Sequence, residues 1–159
     1  IGVFSDSHGD SEALDELLEK MGHVDAVCFL GDVAKDADHL RDRLSGMPGQ
    51  PQLYAVRGNN DYYSTCQLPW EQLIELDGVR IYMTHGHRAA GYMGLVYKAQ
   101  EMEARVAMFG HTHVPFCEVQ RGVMLLNPGS AGNYCRGGRA RASVLEINRG
   151  QLRVINMTL

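Results

Sequence analysis

Residues 1–32, IGVFSDSHGDSEALDELLEKMGHVDAVCFLGD, decide the fold. Ile1 to Phe4 and Asp25 to Leu30 are short apolar runs ending in polar or glycine residues, the pattern of buried parallel strands. Between them the period changes. Leu14, Leu17, Leu18 and Met21 recur at i, i+3, i+4 and i+7, which predicts an amphipathic helix. Asp10 is placed to cap it, Glu12, Asp15 and Glu16 put negative charge in its early turns, and Gly22 can take the left-handed position that ends it. Strand, helix and strand make a β-α-β unit.

The alternation continues outward from this unit. Asp36 to Gly46 predicts a second, weaker helix with Leu40 and Leu44 inward, and Leu53 to Val56 a third strand. Leu73 to Leu76 and Val79 to Thr84 flank Asp77-Gly78, a strong hairpin signal. A helix through Leu95, Val96, Ala99 and Met102 leads into a buried strand at Val106 to Phe109. Phe116 to Gln120 pairs with Val123 to Leu126 about Arg121-Gly122, and Ser143 to Ile147 with Leu152 to Met157 about Arg149-Gly150. The expected fold is α/β, a four-layer αββα sandwich of two mixed β-sheets flanked by helices, built as a single domain over residues 1–159.

Composition narrows the function classes. The chain is 45% hydrophobic with net charge −4 and has no long basic run, so an extended nucleic-acid surface is not expected, whereas a small anionic substrate is compatible with locally concentrated positive charge. No apolar stretch approaches the roughly 18 residues of a spanning helix and no charged segment precedes a signal-like apolar run, which predicts a soluble, cytoplasmic protein with no membrane partner. Cys28, Cys66, Cys117 and Cys135 form no C-x-x-C pair and read as reduced thiols. Homo-oligomerisation is left open.

The polar clusters sit just past the C-terminal ends of predicted strands, where open α/β sheets place their sites. They are Asp6-Ser7-His8, Gly31-Asp32, Gly58-Asn59-Asn60-Asp61, His85-Gly86-His87 and Gly110-His111-Thr112-His113. Asp6 and His8, two apart in a segment read as extended, can point the same way toward one ion, and His111 and His113 repeat that spacing. Any one cluster alone reads more simply as a turn, a helix cap or a surface histidine. Their recurrence at successive strand ends points instead to one joint metal site, and the mix of imidazole and carboxylate suits borderline first-row ions better than calcium.

The order Asp6-x-His8, Gly31-Asp32, Gly58-Asn59-x-Asp61, His85 and Gly110-His111-x-His113, extended by Asn127-Pro128-Gly129-Ser130, resembles the signature of the calcineurin-like metallophosphoesterases. The contexts Arg57-Gly58-Asn59 and His85-Gly86-His87 are most similar to the compact prokaryotic phosphodiesterases of that superfamily. The resemblance implies two divalent metal ions, one held by Asp6, His8, Asp32 and His113 and the other by Asp32, Asn59, His85 and His111, with Asp32 bridging. Mn²⁺ is the expected ion, with Ni²⁺, Zn²⁺, Fe²⁺ or Co²⁺ as alternatives. The expected reaction is hydrolysis of a small phosphate ester, a diester first, by a metal-bridging hydroxide. The expected alternatives are a phosphomonoesterase and a non-catalytic scaffold of the same fold, such as the superfamily's endosomal-sorting subunit with its altered metal site. The complete ligand set favours an enzyme.

One position departs from the pattern. Larger members often carry a histidine after the metal-binding asparagine, where it protonates the leaving group, and this chain has Asn60. An amide cannot act as a general acid near neutral pH, so aryl esters are expected to be preferred. His87 is the nearby substitute, with a structural hydrogen bond to Asp61 or a carbonyl as the competing role. Asp32, Asn60 and His87 are thus the candidate catalytic residues. Asp61 and Ser130 are read as orienting the ligands or as cap and turn residues. Arg136, Arg139 and Arg141 either hold a substrate phosphate or are simply solvated, Tyr62 and Tyr63 either stack on a substrate ring or pack, and His23 and His39 read as surface residues.

Overall fold

The structure is a computed structural model that describes residues 1–61, 67–132 and 138–159. Tyr62, Tyr63, Cys66, Cys135 and Arg136 lie outside the described residues, and so do the expectations attached to them.

The first β-α-β unit forms as β1 (Gly2–Phe4), α1 (Ser11–Met21) and β2 (Ala26–Phe29). The Asp10 side chain accepts from Ala13 N at 3.1 Å, and Gly22 ends α1 with φ 69°. Next come α2 (Ala34–Ser45) and β3 (Gln52–Ala55), then β4 (Glu71–Leu76), β5 (Val79–Thr84), α3 (Gly91–Glu101) and β6 (Val106–Met108). The chain closes with β7 (Phe116–Gln120), β8 (Val123–Asn127), β9 (Arg141–Asn148) and β10 (Gln151–Thr158). At Asp77-Gly78, Arg121-Gly122 and Arg149-Gly150 both central residues have positive φ, as two-residue turns between twisted strands require.

One sheet runs β10-β9-β1-β2-β3 and the other β4-β5-β6-β8-β7. In the first, β1, β2 and β3 are parallel and β9 and β10 antiparallel; in the second, β5, β6 and β8 are parallel between antiparallel edges. Alternate residues of each central strand face opposite layers. Val3, Cys28 and Leu30 meet Ile81, Met83, Val106 and Met108 between the sheets. Phe4, Val27 and Phe29 face Leu14, Leu17, Leu40 and Leu44 of α1 and α2, while Tyr82, Ala107 and Leu125 face Leu95, Val96 and Ala99 of α3. The result is the expected αββα sandwich of mixed sheets. Cys28, buried between the sheets, has its thiol pushed up to about 12 by desolvation.

Two local expectations change. Helix α2 starts at Ala34 rather than Asp36, because Asp61, distant in sequence, receives Val33 N at 3.1 Å and Ala34 N at 2.7 Å and caps the helix from outside. His39 is not a free surface residue: its Nε2 lies 2.8 Å from Asp15 Oδ1, a half-buried pair between α1 and α2. No helix among the described residues is long and apolar enough to cross a membrane.

Candidate metal centre

The C-terminal ends of β1, β2, β3, β5 and β6 carry the ligand loops, and backbone hydrogen bonds stitch these loops together. Asp6 N donates to Gly31 O at 3.0 Å, Gly110 N to His85 O at 3.0 Å, and Ala131 N to Ser5 O at 2.8 Å. The loops are not extended. Asp6 (φ 54°), His8 (φ 51°), Asp32 (φ 66°), His111 (φ 66°) and His113 (φ 59°) all take left-handed backbone conformations, and so does the β-branched Val33 (φ 79°). The expectation of an extended Asp6-x-His8 segment is therefore wrong about the backbone: the side chains converge from a tight turn. Left-handed conformations cost about 1–3 kcal/mol at each non-glycine residue and persist only where the surroundings enforce them.

Those surroundings are specific. Gly58 and Gly110 leave no room for a Cβ: at Gly58 it would strike Asp32 Oδ1 and N, at Gly110 Ser5 Oγ and Asp6 Oδ2. Asp61 Oδ2 accepts from Gly58 N at 2.8 Å while its Oδ1 holds the amides after Asp32. Ser130 Oγ donates to Asp6 O at 2.6 Å. Both residues therefore brace ligand loops, and Asp61 caps α2 as well. Asp36, which the sequence pattern offered only as a helix residue, is buried and accepts from Ser7 Oγ and from Gly9 N at 2.8 Å, holding the His8 turn. Asn127 Nδ2 ties down Gly110 O at 2.8 Å and Thr112 Oγ1 at 3.0 Å beside His111. No local signal marked Asp36, because its partners are on another loop.

Two groups of ligand atoms result. Asp6, His8 and His113 form one, and Asp6, Asp32 and His85 the other. His8 Nε2 faces His113 Nε2 at 3.2 Å, and His113 Nε2 lies 3.2 Å from Asp6 Oδ1. His85 Nε2 lies 3.4 Å from Asp32 Oδ1 and 3.7 Å from Asp6 Oδ1. Asn59 Oδ1 stands 3.0 Å from both His85 Nε2 and His111 Nδ1. Every residue expected to ligate an ion is thus at one rim. Whereas the resemblance puts Asp32 between two ions, the carboxylate common to both groups is Asp6, and Asp32 faces His85.

At His85 the hydrogen bonding fixes which ring nitrogen faces the other ligands. His85 Nδ1 donates to Leu30 O at 2.8 Å, which leaves Nε2 as the nitrogen facing the Asn59, Asp32 and Asp6 oxygens and the one that would bind an ion. Asp6 Oδ2 accepts from Ser5 Oγ at 2.6 Å and His111 N at 2.9 Å, but Asp6 Oδ1 is buried with no hydrogen-bond partner among the described residues. Asp6 and His85 have no exposed surface and Asp32 is 2% exposed. Buried carboxylates converging with imidazole lone pairs are unfavourable unless a cation stands among them. Oxygen and imidazole donors without thiolate fit a divalent first-row ion.

The remaining candidates flank this cluster. Asn60 is exposed; its N donates to Asp32 Oδ1 at 3.0 Å and its Nδ2 to Asp32 Oδ2 at 2.8 Å, so it holds a ligand carboxylate. The His87 ring lies 5.4 Å from His85, 6.1 Å from His111 and 5.6 Å from Trp70, and its Nδ1 has no hydrogen-bond partner among the described residues. Asp61 is committed to backbone amides and is not its partner. Burial first, then the electrostatic influence of His85, His111 and Arg88, lower the His87 pKa, with Asp32 opposing. His23 is exposed, and Arg139 and Arg141 are exposed at the start of β9.

Comparisons with known proteins show which family the chain is similar to. A probable metallophosphoesterase of Methanocaldococcus jannaschii is 31% identical over 82% of this chain and 67% of its own. Phosphodiesterase YfcE of Escherichia coli is 26% identical over 89% of this chain and 84% of its own. The crystal structure of a predicted phosphoesterase from Streptococcus pneumoniae superposes with a TM-score of 0.79 at 31% identity, covering 99% of this chain and 87% of that one. The family model for the calcineurin-like phosphoesterase superfamily domain matches residues 1–150, a span that contains every ligand loop described above. On sequence, fold and the residues gathered at the sheet rim, the chain belongs to the calcineurin-like phosphoesterase superfamily.

Proposed function

We propose that this protein is a phosphodiesterase that works with two divalent metal ions. The observation that carries the reading is the buried Asp6 Oδ1, without a hydrogen-bond partner among the described residues, facing the imidazoles of His85 and His113, beside Asn59 Oδ1 between His85 and His111. Asp6, His8 and His113 would hold one ion and Asn59, His85 and His111 the other, with Asp32 between them. Mn²⁺ is the favoured ion on the mixed nitrogen and oxygen set. When bound, such ions supply Lewis acidity toward phosphoryl oxygens and lower the pKa of water.

The chain's own residues then orient and exclude. Asn60 holds Asp32 through its N and Nδ2 and has no proton to give a departing alkoxide near neutral pH. His87, its ring 5.4 Å from that of His85, is the candidate donor to a leaving oxygen; its Nδ1 is buried without a partner among the described residues, so Nε2 would be the donating atom. The preferred substrate is accordingly a small diester with a good leaving group, in keeping with the relative named a phosphodiesterase.

The test is hydrolysis of a panel of aryl and alkyl mono- and diesters by chelator-stripped protein refilled with one metal at a time. Stripped protein should be inactive and Mn²⁺ should restore activity, on aryl diesters before alkyl esters. Full activity without metal would overturn the reading, and turnover of monoesters alone would replace it with a phosphomonoesterase. Metal binding without turnover of any ester would favour a scaffold of the same fold.

A further inference from the structure

Next to the metal centre, Trp70 gathers two guanidinium groups and an imidazole. The Arg57 guanidinium lies 4.8 Å from its ring centroid, the Arg88 guanidinium 5.4 Å, and the His87 ring 5.6 Å. Arg57 is anchored: its Nε donates to Leu68 O at 2.6 Å and its N to Pro69 O at 2.9 Å, which ties the loop before Trp70 to the end of β3. Arg88 differs. It is exposed, and the structure shows no hydrogen bond or ion pair on it among the described residues; the Trp70 ring is what its guanidinium rests on.

Arg88 and Trp70 wall a cavity of about 380 Å³ between the β4–β5 hairpin and α3, with Lys98 also in its lining. The carboxylate in its lining, Glu71, already accepts from the Tyr82 hydroxyl at 2.6 Å, and Lys98 pairs with Glu101 at 3.3 Å on the exposed face of α3. Thr84, also in the lining, directly precedes the ligand His85. The His87 ring spans the distance between Trp70 and His85, so about one imidazole separates the cavity from the ligand cluster. An uncommitted guanidinium set on an aromatic platform, in a cavity of this size beside a reaction centre, is suited to a carboxylate or phosphate.

We infer that this cavity is a subsite for a second anionic group on the substrate, a phosphate or carboxylate borne by one organic half of the ester. Arg88 holds the group, Lys98 adds charge, and Trp70 is a positioning residue for Arg88. The identity of the ligand as part of a phosphate ester rests on the function proposed above; the binding of an anion there does not.

Trp70 is the sole tryptophan of the chain, so its fluorescence reports on the cavity without a label. Chelator-stripped protein titrated with phenyl phosphate should show a saturable fluorescence change that phenol does not produce. Arg88→Ala should weaken that binding about tenfold or more, and Arg88→Lys should restore part of it. No saturable change in the parent protein, or the same dissociation constant in Arg88→Ala, overturns the inference. A second arm uses metal-loaded protein and two p-nitrophenyl phosphodiesters that share a leaving group and differ in carrying an ethyl or a 2-phosphonoethyl substituent. The charged substituent should lower KM about tenfold, and Arg88→Ala should erase the difference; equal KM values in the parent protein contradict the inference. Arg88-dependent fluorescence binding without turnover of either diester would count against the phosphodiesterase and for the anion site.

Discussion

The hairpin turns and the ligand loops both use left-handed backbone, and they divide the work differently between glycine and its neighbours. At Asp77-Gly78, Arg121-Gly122 and Arg149-Gly150 the glycine itself has positive φ, and at Gly78 and Gly122 an added Cβ would meet nothing. Conformation is what glycine contributes there. In the loops after β3 and β6, Gly58 and Gly110 contribute space, while the left-handed φ falls on His111 and His113 and, in the β2 loop against which Gly58 packs, on Asp32. A hairpin turn is satisfied by its own few residues. A ligand loop is held by side chains from elsewhere: Asp61 for the start of α2, Asp36 for the His8 turn, Asn127 for the His111 turn. The cost of strained backbone is offset where it aims a carboxylate or imidazole inward.

This contrast can be broken by substitution. The largest loss of stability is expected for Asp61→Ala, which strands the amides of Val33, Ala34 and Gly58 in a buried loop. A loss of about 3 kcal/mol in urea denaturation is the expected outcome. Gly110→Ala should cost about 2 kcal/mol by overpacking and, by pushing on Asp6 Oδ2, should also weaken metal binding; retention of full affinity would show that the loop yields freely. Gly78→Ala should cost about 1 kcal/mol through its φ of 72° alone and leave metal affinity unchanged. If Gly78→Ala impaired metal binding as much as Gly110→Ala, the distinction between conformation and space would collapse.

The same division explains what could be read from the sequence. The hairpins were legible because an X-Gly pair between apolar runs states its requirement within two residues. The ligands were legible because their types recur at strand ends, and the sandwich because its periodicities alternate. What was not legible depends on neighbours remote in the chain. The left-handed φ of Asp6 and His8 follows from contacts with the loops after β2, β6 and β8, and the inward turn of Asp36 depends on Ser7 and Gly9. The early start of α2 depends on Asp61, and the cavity beside His87 on Trp70, which reaches it from the segment before β4. The sequence around Asn60 shows only that an acid is missing there; its hold on Asp32 is a contact across distant loops.

If the strained ligand loops hold a pair of ions, as proposed above, metal stoichiometry shows it most directly. Protein stripped with chelator, refilled with Mn²⁺ and freed of excess metal should retain two ions per chain by elemental analysis. His8→Ala should retain one ion, held by the Asn59, His85 and His111 side. Asp32→Asn should retain fewer ions than Asp6→Asn if Asp32 bridges, and the reverse order would move the bridge to Asp6, the carboxylate shared by both groups. A parent protein that retains no metal, or a single ion unaffected by any of these substitutions, would contradict the account.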